Sequence, residues 1–187
     1  MEQPAIYIEI PSKPHPKTIE LLSELLLILP NSFKKDENTV LSEIDTTLKI
    51  QEDIGPLFLI LTNKQNQIVF KIIEYRSRAS IGVTSPIKKE NHQLVLSHFT
   101  TDLGLKVANF LMGLFPINLE SNQVVNFSVH KDFIFFRMYR TCITPKGPIF
   151  EKLGPHLSLR LWRITDYDGD DKKIYNFQKY IKNVNLL

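Results

Sequence analysis

Two runs in the last third of the chain combine cations with aromatic rings: Phe133-Ile134-Phe135-Phe136-Arg137-Met138-Tyr139-Arg140 and His156-Leu157-Ser158-Leu159-Arg160-Leu161-Trp162-Arg163. Arginines on phosphate oxygens, with rings stacked on unpaired bases, are a common means of holding single-stranded RNA. Strand alternation puts Phe133, Phe135, Arg137 and Tyr139 on one face of the first run. Ile134, Phe136, Met138 and Arg140 fall on the other. Both faces are mainly apolar until the arginines, which predicts a central strand buried on both sides, with Arg137 and Arg140 emerging near its end. In the second run Leu157, Leu159 and Leu161 make a core face, while His156, Ser158, Arg160 and Trp162 point away from it. A strand with one solvated face fits the same pattern without any ligand.

The charge distribution points the same way. Residues 1–130 hold 12 Lys+Arg against 14 Asp+Glu, whereas residues 131–187 hold 11 against 6, so the formal net charge of +3 conceals a basic C-terminal third. Such an excess suits an anionic partner, of which RNA phosphate is the commonest, and also suits an ordinary solvated surface.

Other chemistries find little support. The seven glycines are scattered and form neither a dinucleotide-binding nor a P-loop spacing. No G-x-S-x-G or H-E-x-x-H occurs, and His15, His92, His98, His130 and His156 lack metal-ligand spacing, so each reads as a surface or turn histidine. Asp166-x-Asp168-x-Asp170 begins like a calcium loop, but Asp171 and Phe177 stand where glycine and glutamate are required. The lone Cys142 excludes an intrachain disulfide and reads as a small buried hydrophobe. The expectation is a protein that is not an enzyme and uses no cofactor, metal or small-molecule substrate.

At 187 residues the chain fits one globular unit. The N-terminus lacks a basic segment ahead of an apolar stretch, and Leu21 to Leu29 is far short of the ~20 apolar residues of a bilayer crossing, so a soluble intracellular protein without membrane contact is expected.

The elements that would position the two runs read as follows. Ala5 to Ile10 alternates as a strand; after a proline-rich break, Ile19, Leu22, Leu25, Leu26 and Leu29 recur at helical spacing up to Pro30. Val40, Leu41, Ile44 and Leu48 predict a second amphipathic stretch. Leu57 to Leu61 and Ile68 to Tyr75 form a hairpin about the polar turn 63–66, and Arg78 to Val83 a weaker strand. The same grammar then restarts: a strand at Leu94 to Leu96, an N-cap at Thr100 or Thr101, and a helix with Leu103, Val107, Phe110, Leu111 and Leu114 on its apolar face. Strands follow at 124–129, 133–143, 149–153 and 157–164, with a turn at Pro145-Lys146-Gly147. Laid over one another, Leu21, Leu25, Leu26, Ile28, Leu29 and Pro30 fall on Val107, Leu111, Met112, Leu114, Phe115 and Pro116, as in a duplicated strand–helix unit. Any two amphipathic helices that stop before a proline would match in part.

Five blocks occur in an order and spacing that resemble the Brix-domain family of ribosome-biogenesis proteins. They are 94–104 (Leu-Val-Leu-Ser-His-Phe-Thr-Thr-Asp-Leu-Gly), the helix to Leu114-Phe-Pro116, Gln123-Val-Val-Asn-Phe127, His130-Lys-Asp-Phe-Ile-Phe-Phe-Arg137 and 153–161 (Leu-Gly-Pro-His-Leu-Ser-Leu-Arg-Leu). The resemblance implies an α/β (α+β) fold of two similar halves, each a strand–helix unit with a mixed or antiparallel sheet, similar to class IIa anticodon-binding domains. It places a single domain over 1–165, half one about 1–90 and half two about 91–165. A charged tail, 166–187, follows, mildly amphipathic through Ile174, Phe177, Tyr180 and Ile181 and compatible with a docking helix. It implies a nucleolar factor that binds pre-rRNA and a dedicated protein partner within a pre-ribosomal particle of the large subunit, with a Mak-sixteen-like partner expected. A small-subunit branch of the family is the alternative, as is a protein scaffold without RNA contact. The residues carried over as RNA contacts are Arg137, Arg140, Arg160 and Arg163; Thr100, Thr101 and Gly104 match a helix-start motif and imply capping and close packing.

Overall fold

A computed structural model describes residues 4–42, 44–168 and 171–177. Among these residues the chain forms, in order, β1 (Ile6–Glu9), α1 (Pro16–Ile28), β2 (Ser32–Lys34), β3 (Thr46–Glu52), β4 (Leu57–Thr62), β5 (Asn66–Arg76), β6 (Gln93–Ser97), α2 (Asp102–Leu114), β7 (Gln123–His130), β8 (Phe133–Thr144), β9 (Gly147–Lys152), β10 (His156–Asp168) and β11 (Asp171–Asn176). The helices begin where the local chemistry allows. Pro16 opens α1 behind His15, whose Nδ1 accepts from the Lys17 amide at 3.3 Å. Thr101 caps α2 by accepting from the Gly104 amide at 3.0 Å, with Asp102 in the first turn. Pro30 and Pro116 lie just beyond the two helix ends.

All strands join one sheet in the order β2-β1-β3-β4-β5-β10-β8-β7-β6, with β9 on β8 and β11 on β10. The central path is a palindrome. β1 and β3, which flank α1 in sequence, pair in parallel, and β3, β4 and β5 follow antiparallel. β6 and β7, which flank α2, do the same, followed by β8 and β10. The halves meet where β5 runs antiparallel to β10, and each of these strands carries one bulged residue, Ile73 and Trp162. Superposing Ile73 on Trp162 carries the pair Ile72–Leu159 onto Leu161–Phe70, and Tyr75–Leu157 onto Ile164–Ile68. The duplication read from the two helices is therefore present in the sheet down to its irregularities.

One core serves both halves. Leu21, Leu25 and Ile28 of α1 and Val107, Leu111 and Leu114 of α2 are buried with alternate residues of the strands, including Ile8, Leu48, Ile50, Phe70, Ile134, Met138 and Leu159. Because the core takes alternate residues of the central strands, the described helices cover one face of the sheet and none of them lies on the opposite face.

Several expectations need correcting. Val40, Leu41 and Ile44 do not form a helix: they are exposed, and the segment is tied into turns by Asp36 with Thr39 and by Ser42 with Asp45. The strand begins instead at the β-branched Thr46-Thr47 pair, where alternation buries Thr46, Leu48 and Ile50. Arg78 to Val83 is a turn, closed by Ile81 onto Ser77 and Val83 onto Arg78. β8 is not buried on both sides: Ile134, Phe136 and Met138 face the core, while Phe133, Phe135, Arg137 and Tyr139 are half-buried on the open face. From Asp166 the chain extends β10 to Asp168 and returns as β11, so no helix forms over 171–176; Tyr180 and Ile181 lie outside the described residues. His92 is fully buried rather than superficial, and Cys142 is half-buried beside Ile149.

Candidate nucleic-acid interface

The open face of the sheet gathers cations and rings from strands far apart in sequence. Register places Arg160 between Lys71 on β5 and Phe133 on β8. Its guanidinium lies over the Phe133 ring at 4.3 Å and over Phe177, just past β11, at 5.0 Å. The Arg160 Nε is buried without a hydrogen-bond partner, so the rings are its main company. Trp162, pushed out by the bulge, stacks with Phe177 at 5.8 Å, meets the edge of Phe58 on β4 at 5.8 Å, and lies 5.4 Å from the Lys71 ammonium. The Phe177 amide donates to the Trp162 carbonyl at 2.8 Å, which ties the end of β11 to this cluster.

Arg137 sits further along the same face. One of its Nη atoms donates to the carbonyls of Phe136 at 2.7 Å and Leu157 at 3.0 Å, and its guanidinium is 5.7 Å from the Phe135 ring. Burial pulls its pKa below the usual value, yet a guanidinium remains charged at any physiological pH. Arg163, beside the bulge, is exposed and donates from Nε to Asn176 at 3.1 Å. Arg140 stands apart. Alternation places it on the helix-bearing face, where it pairs with Glu151 at 3.2 Å and donates to the Pro86 carbonyl. The structure thus brings Arg137, Arg160 and Arg163 to the open face and ties Arg140 to the β9 hairpin.

A second basic group flanks Arg137. His156, at the start of β10, lies directly across from Arg76 on β5. Its pKa is lowered by burial first, and then by Arg137, Lys152 and Arg76 around it, with Glu74 the opposing charge. Arg76, Lys152, Lys71 and Phe58 were not singled out from sequence, and Phe177 only as part of a tail compatible with a docking helix. Pairing of β10 with β5, β8 and β11, of β4 with β5 and of β9 with β8 brings them to the site, and no local pattern encodes the β5–β10 pairing at its centre.

Among the described residues there is no group of three or more His, Cys, Asp or Glu that could hold a metal ion. Asp166 instead forms an ion pair with Lys106 of α2. No described helix is long and apolar enough to cross a membrane.

Comparison with known proteins agrees with this architecture. The chain is 29% identical over 186 residues to ribosome production factor 1 of Pongo abelii and 26% identical over 190 residues to the probable ribosome production factor 1 of Drosophila melanogaster. These alignments cover 90% and 91% of this chain, and 53% and 48% of the relatives. It is 31% identical over 87 residues to the U3 small nucleolar ribonucleoprotein protein IMP4 of Yarrowia lipolytica, covering 46% of this chain and 31% of that protein. The chain spans about half the length of the ribosome production factors it matches. No protein-family model matches it. Among solved structures, a probable ribosomal biogenesis protein from Aeropyrum pernix K1 shares the fold, with a TM-score of 0.56 at 12% identity over 84% of this chain and 96% of that one.

Fold and relatives together bear out the Brix-type resemblance: the chain is similar to ribosome-biogenesis proteins built on a two-half mixed α/β sheet. Within that class it is similar to ribosome production factor 1 along nine-tenths of its length, with IMP4 proteins the next resemblance.

Proposed function

We propose that this chain is a non-enzymatic ribosome-biogenesis factor of the nucleolus that binds precursor rRNA and a dedicated protein partner, Mak-sixteen-like by family, during assembly of the large subunit. The observation that carries the RNA reading is the sheet face that no described helix covers, where Arg137, Arg160, Arg163 and Lys71 lie among Phe58, Phe133, Phe135 and Trp162. Such a surface offers phosphate contacts and rings together, as unpaired RNA requires. Similarity to proteins named ribosome production factor 1 along nine-tenths of the chain supports the large-subunit branch.

The internal saturation of the same cluster favours a second reading. Arg160 is already enclosed by two rings and Arg140 by Glu151 and Pro86, which suits a scaffold that positions a partner without touching RNA. Affinity purification of the tagged protein, with sequencing of crosslinked RNA and identification of co-purifying proteins, tests both. Large-subunit precursor RNA with a partner supports the proposal; small-subunit spacer RNA moves it to the IMP4 branch; partner without RNA crosslinks leaves the scaffold.

A further inference from the structure

The two halves correspond over four strands each, β1-β3-β4-β5 and β6-β7-β8-β10, and differ in the strands added to them: β2 on β1, β9 on β8 and β11 on β10, of which the last bears on an open edge. In the second half β10 runs past the first residue of β8, Phe133 opposite Arg160, and its edge beyond is taken by β11 from Arg163 onward. In the first half β5 likewise runs past the first residue of β4, Leu57 opposite Ile72, and no described strand takes the edge beyond. The operation that exchanges Ile73 with Trp162 lays Glu74, Tyr75 and Arg76 on Arg163, Ile164 and Thr165, the residues that pair with Asn176, Tyr175 and Ile174 of β11.

The vacant position is a groove of about 530 Å³ between α1, the β3–β4 turn and the end of β5. Its floor is Leu57, Ile72 and Tyr75, and Ile73 is 44% exposed at its mouth. Glu52 and Asp53 line it against the ammonium of Lys17, with Glu74 already paired to Arg76 at 2.8 Å, so the groove keeps an acidic excess within a chain whose net charge is positive. The neighbouring Thr18 hydroxyl, together with the His15 amide that donates to Glu52 at 2.8 Å, holds the Glu52 carboxyl below its usual pKa, which keeps that charge in place. An unpaired strand edge beside a groove is a template for an added strand, whose main chain supplies affinity and whose alternate side chains supply specificity.

We propose that the β5 edge Ile73–Arg76 receives an extended segment of a protein partner, antiparallel to β5 as β11 is to β10. Its chemistry is that of the occupied counterpart, two lysines followed by two apolar residues as in Lys172-Lys173-Ile174-Tyr175, so that each face of the strand carries one lysine and one apolar residue. The apolar residue of the inner face takes the place over Tyr75 and Leu57 that Tyr175 takes against the core of the other half, and the lysine of that face meets Glu52 and Asp53. This site rests on the protein-partner part of the proposed function and is independent of the RNA part.

The test uses the full chain and a synthetic peptide of residues 171–177 as probe, followed by amide hydrogen exchange. Added peptide is expected to slow exchange at Ile73–Arg76. Ile73→Lys and Asp53→Lys, both at exposed positions, are expected to weaken binding about tenfold or more, about 1.4 kcal/mol, with an unchanged melting temperature. Protection confined to Arg163–Asp168, no protection at millimolar peptide, or unchanged affinity of both variants would overturn the site. RNA affinity measured on the same samples reports the proposed function separately, so the two can fail independently.

Discussion

At the scale of single residues, the four arginines carried over from the family resemblance divide by strand parity, and the division is testable. Arg140→Gln is expected to leave RNA affinity unchanged, since Arg140 lies on the helix-bearing face and is held by Glu151 and Pro86. Arg163→Gln, on the open face, is expected to weaken binding and to reduce its salt dependence, which filter binding at two salt concentrations would show. Gly154 shows how closely the core is packed. A Cβ there would come 2.6 Å from the Met138 Cβ, in the fully buried row of β8, so Gly154→Ala is expected to cost about 1–3 kcal/mol by urea unfolding. His92 supplies a pH dependence. Its Nε2–H donates to the Ile28 carbonyl at 2.9 Å, its Nδ1 is buried without a partner, and burial lowers its pKa below 6.5. The folded state therefore binds a proton more weakly than the unfolded state. Stability is full above the unfolded pKa and is lost as pH falls through and below it. Melting curves from pH 7.5 downward should decline less steeply for His92→Gln than for the native chain, and parallel curves would show that His92 carries no such linkage.

At the scale of elements, most of what periodicity could supply was legible, and the failures have physical causes. The helices were readable because apolar spacing, caps and flanking prolines agree at α1 and α2. The 40–48 segment failed because three apolar residues at helical spacing lie in a stretch where the Thr39 and Asp45 side chains accept from the backbone amides of Asp36 and Ser42, and no surface receives them. β8 misled because Phe133, Phe135 and Tyr139 look like core residues yet line the open face, where Arg137 and Arg160 cover two of them. The tail misled because Ile174 and Phe177 suit a helix face as well as one strand–loop junction. The two caps differ in quality, which gives a graded expectation. Thr101→Ala, losing a 3.0 Å bond to Gly104, should cost about 1 kcal/mol by chemical denaturation, and His15→Ala, losing a 3.3 Å bond to Lys17, distinctly less. Equal losses would mean that tertiary packing, not capping, sets the helix starts.

At the scale of the whole molecule, the sheet is a pseudo-symmetric pair of halves fused along β5 and β10, and the candidate interface lies across that seam. Lys71 and Arg76 come from the first half, Arg160, Arg163 and Arg137 from the second, so neither half alone carries the site. The basic C-terminal third was visible in composition. That its cations would be joined by Lys71, Arg76 and Phe58 was not, because pairing between residues some ninety positions apart leaves no trace in a local window. The seam also makes unfolding cooperative: a single urea transition is expected, with tryptophan fluorescence at Trp162 and far-UV circular dichroism coinciding.

The measurement that bears most directly on the central claim is equilibrium binding of single-stranded precursor-rRNA segments across a salt series, for the native chain and for Lys71→Gln/Arg163→Gln. RNA held on the open face predicts measurable affinity at low salt that falls linearly on a log–log plot, with a slope shallower in the double variant by ~0.7 for each phosphate no longer neutralised. Absence of binding at low salt, or identical slopes in the two proteins, would contradict an RNA-binding sheet face.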